Sequence, residues 1–242
     1  MGIGTPSIHT NLREVERRVD AACARAGRRS EEVTLVGVSK KQPIELLRDA
    51  YAAGLRDFGE SYVQELAGRY DESAEFADQV AWHFIGHLQR NKVSTLLPLA
   101  EMVHSVDTER LAQTIDRYAE ELGRVVPVLL QVNTSGESSK YGCYPGGALT
   151  LAERILALRN VELRGLMTLA AFSDDPEFTR PMFRLLRDAR DLICDRLDCE
   201  LPVLSMGMSN DFEVAIEEGS TLVRVGTAIF GERPSQPGAR NR

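Results

Sequence analysis

The chain alternates short apolar runs with longer segments of helical periodicity. The apolar runs predict eight strands, at 35–38, 56–59, 82–85, 102–105, 126–132, 163–168, 203–206 and 222–225. Intervening segments such as 108–123, 147–158, 177–197 and 210–219 place apolar residues three and four positions apart. That spacing is typical of helices that bury one face against a sheet. A repeated strand and helix alternation favours an α/β fold with a parallel sheet.

A single closed barrel suits this pattern better than an open doubly wound sheet, although periodicity alone does not prove closure. The chain has 242 residues, close to the ~250 of a typical TIM-type (β/α)8 barrel. No linker divides it. We predict one barrel domain over 1–231 with an extra N-terminal helix at 8–26. The tail at 232–242 offers no apolar anchor and is predicted to be disordered.

Composition narrows the class of protein. Hydrophobic residues make up 43% of the chain, which allows a sizeable core, and the net charge of −7 argues against a general nucleic-acid binder. No apolar stretch approaches the ~20 residues that span a bilayer, and the N-terminus lacks signal-peptide features. We therefore expect a cytoplasmic protein without nucleic-acid or membrane partners. The cysteines show no metal-ligand spacing, so reduced thiols and no metal site are expected: Cys23, Cys143, Cys194 and Cys199.

Lys40 stands where the first predicted strand gives way to a loop, and Pro43 opens the next helix. In barrels of this kind active sites lie at the carboxyl ends of the strands. A partly desolvated lysine amine there can form a Schiff base. The alternative is a solvated surface charge.

The segment after the seventh strand leaves through Gly207 and opens a helix near Ser209 or Asn210. Free backbone N–H groups at a helix start and a serine hydroxyl together suit a phosphate. Simple helix capping explains the same residues equally well.

Arg224 lies inside the apolar run of the last strand and is followed by Gly226 and Thr227. Because a guanidinium keeps its charge, a buried Arg224 needs a carboxylate, carbonyl or ligand acceptor. A structural salt bridge is the alternative to a ligand. Phosphate sites in such barrels are often built by the loops after strands seven and eight, where Ser209 and Gly226 fall.

Two histidines, His83 and His87, flank the end of the third strand. They could serve acid–base or metal chemistry. Since no third ligand is near in sequence, satisfied structural histidines are the favoured interpretation.

Several motifs resemble, in the same order, those of the pyridoxal phosphate homeostasis family, single-domain proteins similar to the N-terminal barrel of alanine racemase. They are VGVSKKQP at 36–43, FGESYVQE at 58–65, WHFIGHLQ at 82–89, LMT at 166–168, SMGMS at 205–209 and VRVGTAIFG at 223–231. The resemblance spans nearly the whole chain.

The resemblance implies pyridoxal 5′-phosphate as cofactor, held as an internal aldimine on Lys40. It implies that Ser209 and the backbone of Gly226 and Thr227 hold the phosphate and that Arg224 faces the pyridine nitrogen. Three further residues complete the expected cofactor-binding set: Met206, Ser61 and His83. The family usually carries asparagine in place of Ser61.

The function implied is intracellular homeostasis of pyridoxal phosphate, with little or no turnover. The chain is expected to lack the second domain that racemases of this fold use, and to be a monomer. Expected partners are the cofactor, free amino acids that compete for it, and pyridoxal phosphate enzymes that receive it. The alternatives are a pyridoxal phosphate-dependent amino-acid racemase, or a Schiff-base aldolase for a phosphorylated sugar, which would carry no bound chromophore.

Overall fold

A computed structural model describes residues 7–232 of the chain. The predicted disordered tail, apart from Glu232, lies outside the described residues.

Eight parallel strands pair in sequence order and close into a barrel. Strand β8 pairs with β1 from Thr34 opposite Leu222 to Gly37 opposite Val225, which joins the two ends of the sheet. The prediction of a single (β/α)8 barrel is confirmed, and every strand boundary lies within two residues of the predicted one. The strands are β1 Thr34–Val38, β2 Asp57–Glu60, β3 Ala81–Phe84, β4 Met102–Val106, β5 Val126–Gln131, β6 Val161–Met167, β7 Val203–Ser205 and β8 Leu222–Val225.

Helices cover the outside of the barrel, because each carries apolar residues on one face only. They are α1 Ile8–Arg25, α2 Ile44–Ala52, α3 Val63–Glu72, α4 Val93–Leu96, α5 Glu109–Leu122, α6 Ala148–Leu156, α7 Arg180–Leu197, α8 Phe212–Glu217 and α9 Thr227–Phe230. The predicted extra helix is α1, which buries Leu12, Val15 and Val19 and packs against α8, α9 and α2. Among residues 7–232, no helix has the length and hydropathy needed to cross a membrane.

Polar side chains occupy part of the barrel interior. His83, His104, Ser205 and Arg224 lie on strands β3, β4, β7 and β8, and each is at most 4% exposed. Buried polar groups require hydrogen-bond partners, so these side chains must satisfy one another or the backbone. Their positions determine the floor of the site described below.

An ion-pair cluster fixes α8 to α7. Glu218, whose side chain is 6% exposed, accepts from Arg180 at 3.0 Å, Arg184 at 2.9 Å and Arg187 at 2.9 Å. Burial opposes its ionisation, but the hydrogen bonds from Arg184 and Arg180 outweigh it and lower the pKa of Glu218 to about 2. The carboxylate therefore stabilises the fold in its charged form.

We expect Glu218→Gln to destabilise the protein by about 2 kcal/mol near neutral pH, because three guanidinium groups lose a charged acceptor. A lowered pKa means that this stabilisation is complete above the ordinary value of 4.5 and is lost as the pH falls toward about 2. Urea unfolding of both proteins over a pH series measures the difference. Glu101→Gln, at an exposed position, is the control. If the difference in unfolding free energy between the native protein and Glu218→Gln stayed constant down to acid pH, the charged form of Glu218 would not be the source of the stabilisation.

Candidate functional site

A cavity of about 800 Å³ opens at the carboxyl ends of the strands. Its walls come from loops that follow seven of the strands, and the side chain of Arg224 from β8 forms part of its floor. Among the lining residues are Lys40, Ser61, Tyr62, His87, Tyr141, Phe172, Ser209, Asn210, Gly226 and Thr227. The cavity thus brings together most of the predicted site residues, from distant parts of the sequence.

A braced turn presents Lys40. On one side, Ser39 Oγ donates to Glu60 Oε1 at 2.7 Å, and on the other Arg69 donates to the carbonyl of Gln42. Lys41 between them has a φ of 60°, a left-handed conformation that is uncommon outside glycine. Lys40 Nζ lies 4.6 Å from the centre of the Tyr62 ring, so the amine is placed over an aromatic face inside the cavity.

Glu60 lies beneath this turn and is completely buried. Burial raises its pKa to about 7, while the hydrogen bond from Ser39 opposes that shift. Arg69 Nε lies 4.0 Å from Glu60 Oε1. Glu60 and Arg69 therefore support the Lys40 turn from below without lining the cavity themselves.

A neighbouring wall of the cavity gathers backbone N–H groups. The amides of Gly226 and Ala228 both donate to Ser209 Oγ, at 3.2 Å and 3.4 Å. A Cβ added at Gly226 would lie 3.3 Å from the carbonyl oxygen of Val38, so a larger residue would crowd this wall. With its oxygen accepting from both amides, the Ser209 hydroxyl can donate into the cavity, and a hydroxyl donor suits an anion.

Asp211 fixes the loop that carries Ser209. Its Oδ1 accepts from the Met208 amide at 2.6 Å, and Gly207 adopts a φ of 95° that favours glycine. Burial raises the pKa of Asp211, whereas the Met208 hydrogen bond and the charge of Arg224 lower it. The loop is held by its own contacts as well as by helix α8.

Arg224 is 2% exposed and donates to Ser205 Oγ and, at 2.7 Å, to the carbonyl oxygen of Thr168. Burial lowers its pKa to about 10, and the charge of Asp211 opposes the shift, so the guanidinium stays charged at neutral pH. Both acceptors are neutral, which differs from the structural salt bridge considered from sequence. Since a guanidinium has five N–H donors, several remain for a group in the cavity.

Two predicted residues lie elsewhere. Met206 and His83 do not line the cavity. His83 sits inside the barrel, 3.0 Å from His104 and 3.0 Å from Asp57, as the structural interpretation of this histidine expected. His87 reaches the cavity mouth and stacks on Tyr141 with ring centroids 3.8 Å apart. Within residues 7–232, no three His, Cys, Asp or Glu side chains are grouped as a metal site would require.

The rim loop at 133–147, which follows β5, is held by hydrogen bonds within itself and to the end of β5. Asn133 Nδ2 donates to the carbonyl oxygens of Glu137 and Lys140, and the backbone of Cys143 pairs with that of Gln131 and Asn133. These contacts place Tyr141 at the cavity mouth.

Sequence reasoning missed the aromatic rim of the site and the serine that supports Arg224. Tyr62, Tyr141 and Phe172 line the mouth, and Ser205 supports Arg224 from within the barrel. Tyr62 follows the end of β2 directly, which is a usable signal. Ser205 gives no sequence signal, because a serine in an apolar strand has no visible partner.

Comparison with known proteins identifies relatives over nearly the whole chain. The family model for the alanine racemase N-terminal domain matches residues 10–234. A pyridoxal phosphate homeostasis protein of Aquifex aeolicus is 45% identical over 222 residues, which cover 92% of this chain and 96% of the relative. The human protein of the same name is 40% identical over 234 residues, covering 92% of this chain and 85% of its own.

Solved structures also match this chain in fold. PipY of Synechococcus elongatus, in a structure with pyridoxal phosphate bound, is 35% identical with a TM-score of 0.78, over 90% of this chain and all of PipY. An alanine racemase of Clostridium difficile is only 15% identical, with a TM-score of 0.73 over 97% of this chain and 61% of the racemase, and supports the fold alone. The chain belongs to the pyridoxal phosphate homeostasis protein family, whose barrel is that of the alanine racemase N-terminal domain.

Proposed function

We propose that this protein binds pyridoxal 5′-phosphate in the cavity, holds it covalently through Lys40, and serves pyridoxal phosphate homeostasis with little or no turnover. One observation carries the proposal. A single cavity brings together a primary amine, a set of anion-binding donors and a buried guanidinium, contributed by Lys40, Ser209 with Gly226, and Arg224. These match the aldehyde, phosphate and ring nitrogen of the cofactor.

The chemistry of the donors fits each part of the ligand. Ser209 and the amides of Gly226 and Thr227 would hold the phosphate, and Arg224 would donate to the ring nitrogen. When bound, the cofactor supplies an aldehyde that condenses with a primary amine and releases one water. Ser61 lines the wall near the Lys40 turn. The names of the relatives and the ligand of PipY support the same ligand here.

The charge of Arg224 supports the proposal of low turnover. With a pKa of about 10 the guanidinium keeps its protons at neutral pH, and a ring nitrogen that faces a cation resists protonation. An unprotonated ring withdraws electrons weakly and gives little support to carbanion chemistry. Free amino acids can compete with Lys40 for the aldehyde and release the cofactor, which suits a carrier that supplies other enzymes.

Reductive trapping tests the ligand and its attachment. We expect the purified protein to gain a visible absorption band on addition of pyridoxal phosphate. Borohydride reduction followed by proteolysis and mass spectrometry should locate the pyridoxyl group on Lys40 and leave Lys41 unmodified. A spectrum without a band would favour the aldolase alternative, and modification spread evenly over surface lysines would contradict the proposed attachment.

An amino-acid racemase is the second candidate, favoured by the match to the alanine racemase N-terminal domain. Racemisation of an amino acid requires removal and return of a proton at its Cα. Incubation of alanine or serine with the loaded protein in deuterated water, followed by proton NMR, measures this step. We expect no exchange above that of free pyridoxal phosphate, and rapid exchange would replace the carrier function by catalysis.

A further inference from the structure

Five side chains form a continuous hydrogen-bonded series across the inside of the barrel. From the cavity floor, Arg224 donates to Ser205 Oγ, and Ser205 Oγ lies 3.0 Å from His104 Nδ1. His104 Nε2 lies 3.0 Å from His83 Nδ1, and His83 Nε2 lies 3.0 Å from Asp57 Oδ1. We call Asp57, His83, His104, Ser205 and Arg224 the core relay.

The core relay connects the two ends of the barrel. Arg224 lines the cavity at the carboxyl ends of the strands. Asp57 is the first residue of β2 and lines a second, smaller recess between α1 and the amino ends of β1 and β2. Its side chain is 29% exposed, whereas the three residues between it and Arg224 are at most 4% exposed. The relay therefore joins a solvent-accessible carboxylate to the floor of the ligand cavity.

One direction gives every donor and acceptor of the series a partner. Arg224 can only donate, so Ser205 Oγ accepts from it. Within the described residues, the Ser205 hydroxyl has one remaining acceptor in contact, His104 Nδ1. His104 must then carry its hydrogen on Nε2 and donate to His83 Nδ1. His83 in turn donates from Nε2 to the carboxylate of Asp57.

The protonation of His104 agrees with this direction. Burial lowers its pKa well below the ordinary value, and the charge of Arg224 lowers it further. His104 is therefore neutral, so one of its ring nitrogens carries hydrogen and the other is free to accept. The two imidazole rings lie with their centroids 5.1 Å apart and their planes at 88°, and the 3.0 Å contact joins a nitrogen of each ring.

We propose that Asp57, His83, His104 and Ser205 are positioning residues for Arg224, and that the relay transmits the charge of Asp57 to the cavity floor. Donors and acceptors aligned in one direction polarise one another, so the negative end at Asp57 strengthens each bond up to Arg224. The effect on ligand binding rests on the proposed function, whereas the direction of the relay does not.

Nitrogen NMR of the ligand-free protein tests the direction. In uniformly labelled protein we expect His83 and His104 to be neutral with hydrogen on Nε2 and a bare Nδ1. His83→Gln and His104→Gln assign the two signals among the four histidines. Hydrogen on Nδ1 of either residue, or an imidazolium at neutral pH, would overturn the relay whether or not the protein binds pyridoxal phosphate.

A matched pair of serine variants tests the effect on the cavity. Ser205→Ala removes one link, and we expect the affinity for pyridoxal phosphate to fall about tenfold, the usual cost of one hydrogen bond to a charged group. Ser105→Ala removes the same atom from a fully buried serine on β4 whose hydroxyl has no partner among the described residues. It should leave the affinity unchanged, and equal losses in both variants would overturn the positioning role.

A double-mutant cycle tests transmission. Asp57→Asn keeps an acceptor for His83 but removes the charge, and we expect about a threefold loss of affinity. In the Ser205→Ala background the same change should have no further effect. If the double variant lost affinity by the product of the two single losses, Asp57 would act independently of the relay, and the proposal would be overturned. Absence of binding in the native protein would refute the proposed function and leave the NMR result to judge the relay.

Discussion

Lys40→Ala is expected to abolish the visible absorption band that forms with pyridoxal phosphate and to leave no borohydride-stable adduct at the site. Among the described lysines, Lys40 is the one whose amine lies over the Tyr62 ring. The hydrogen bonds made by Glu60 and Arg69 hold the turn at 39–42 that carries it. Without the amine, no covalent bond to the aldehyde can form there. The spectrum of the purified variant with added cofactor checks this.

The neighbouring lysine provides the control. Lys41 is exposed and adopts a left-handed backbone conformation, which asparagine tolerates. Lys41→Asn should therefore keep the band at full intensity. In Lys40→Ala the donors at Ser209, Gly226 and Arg224 remain, so weak noncovalent binding should persist. An unchanged band in Lys40→Ala would show that another amine holds the cofactor.

Gly165→Ala is expected to destabilise the protein by about 4 kcal/mol or to prevent folding. A Cβ at this position would lie 1.8 Å from the carbonyl oxygen of Val203, its partner in register on β7. The backbone of a neighbouring strand cannot rotate away as a side chain can. To relieve the overlap, β6 and β7 must separate, and denaturant unfolding measures the cost.

Gly165→Ala should also disturb the part of the site around Arg224. Strand β7 carries Ser205, and β6 leads into Thr168, the two residues that accept from Arg224. Separation of β6 from β7 would move Ser205 away from Thr168, so that Arg224 could no longer donate to both. Gly68→Ala is the control, because this position lies in α3 with no atom within 4 Å of an added Cβ. There alanine should stabilise by up to about 1 kcal/mol through its helix propensity. Equal stability of the two variants would contradict the close approach at Gly165.

Local patterns predicted much of the site because its residues sit at recognisable places. Lys40 ends an apolar strand, and Arg224 and Gly226 interrupt or follow another. In a barrel of parallel strands all carboxyl ends meet at one rim, so residues far apart in sequence could be placed together without coordinates. The resemblance placed His83 in the cofactor-binding set, whereas its side chain lies inside the barrel against His104 and Asp57, as the structural interpretation from the residues indicated.

The sequence by itself determined the strands, the helices, their alternation and the rim position of Lys40, since these follow from periodicity and from turn residues within short windows. Only the tertiary structure decided what lies across the barrel. His104 and Ser205 are 101 positions apart, and their contact depends on the tilt and register of eight strands at once. Whether a buried polar side chain is satisfied depends on partners that no local pattern specifies. The core relay is therefore a property of the closed barrel, while the amine at its rim is a property of one strand and its turn.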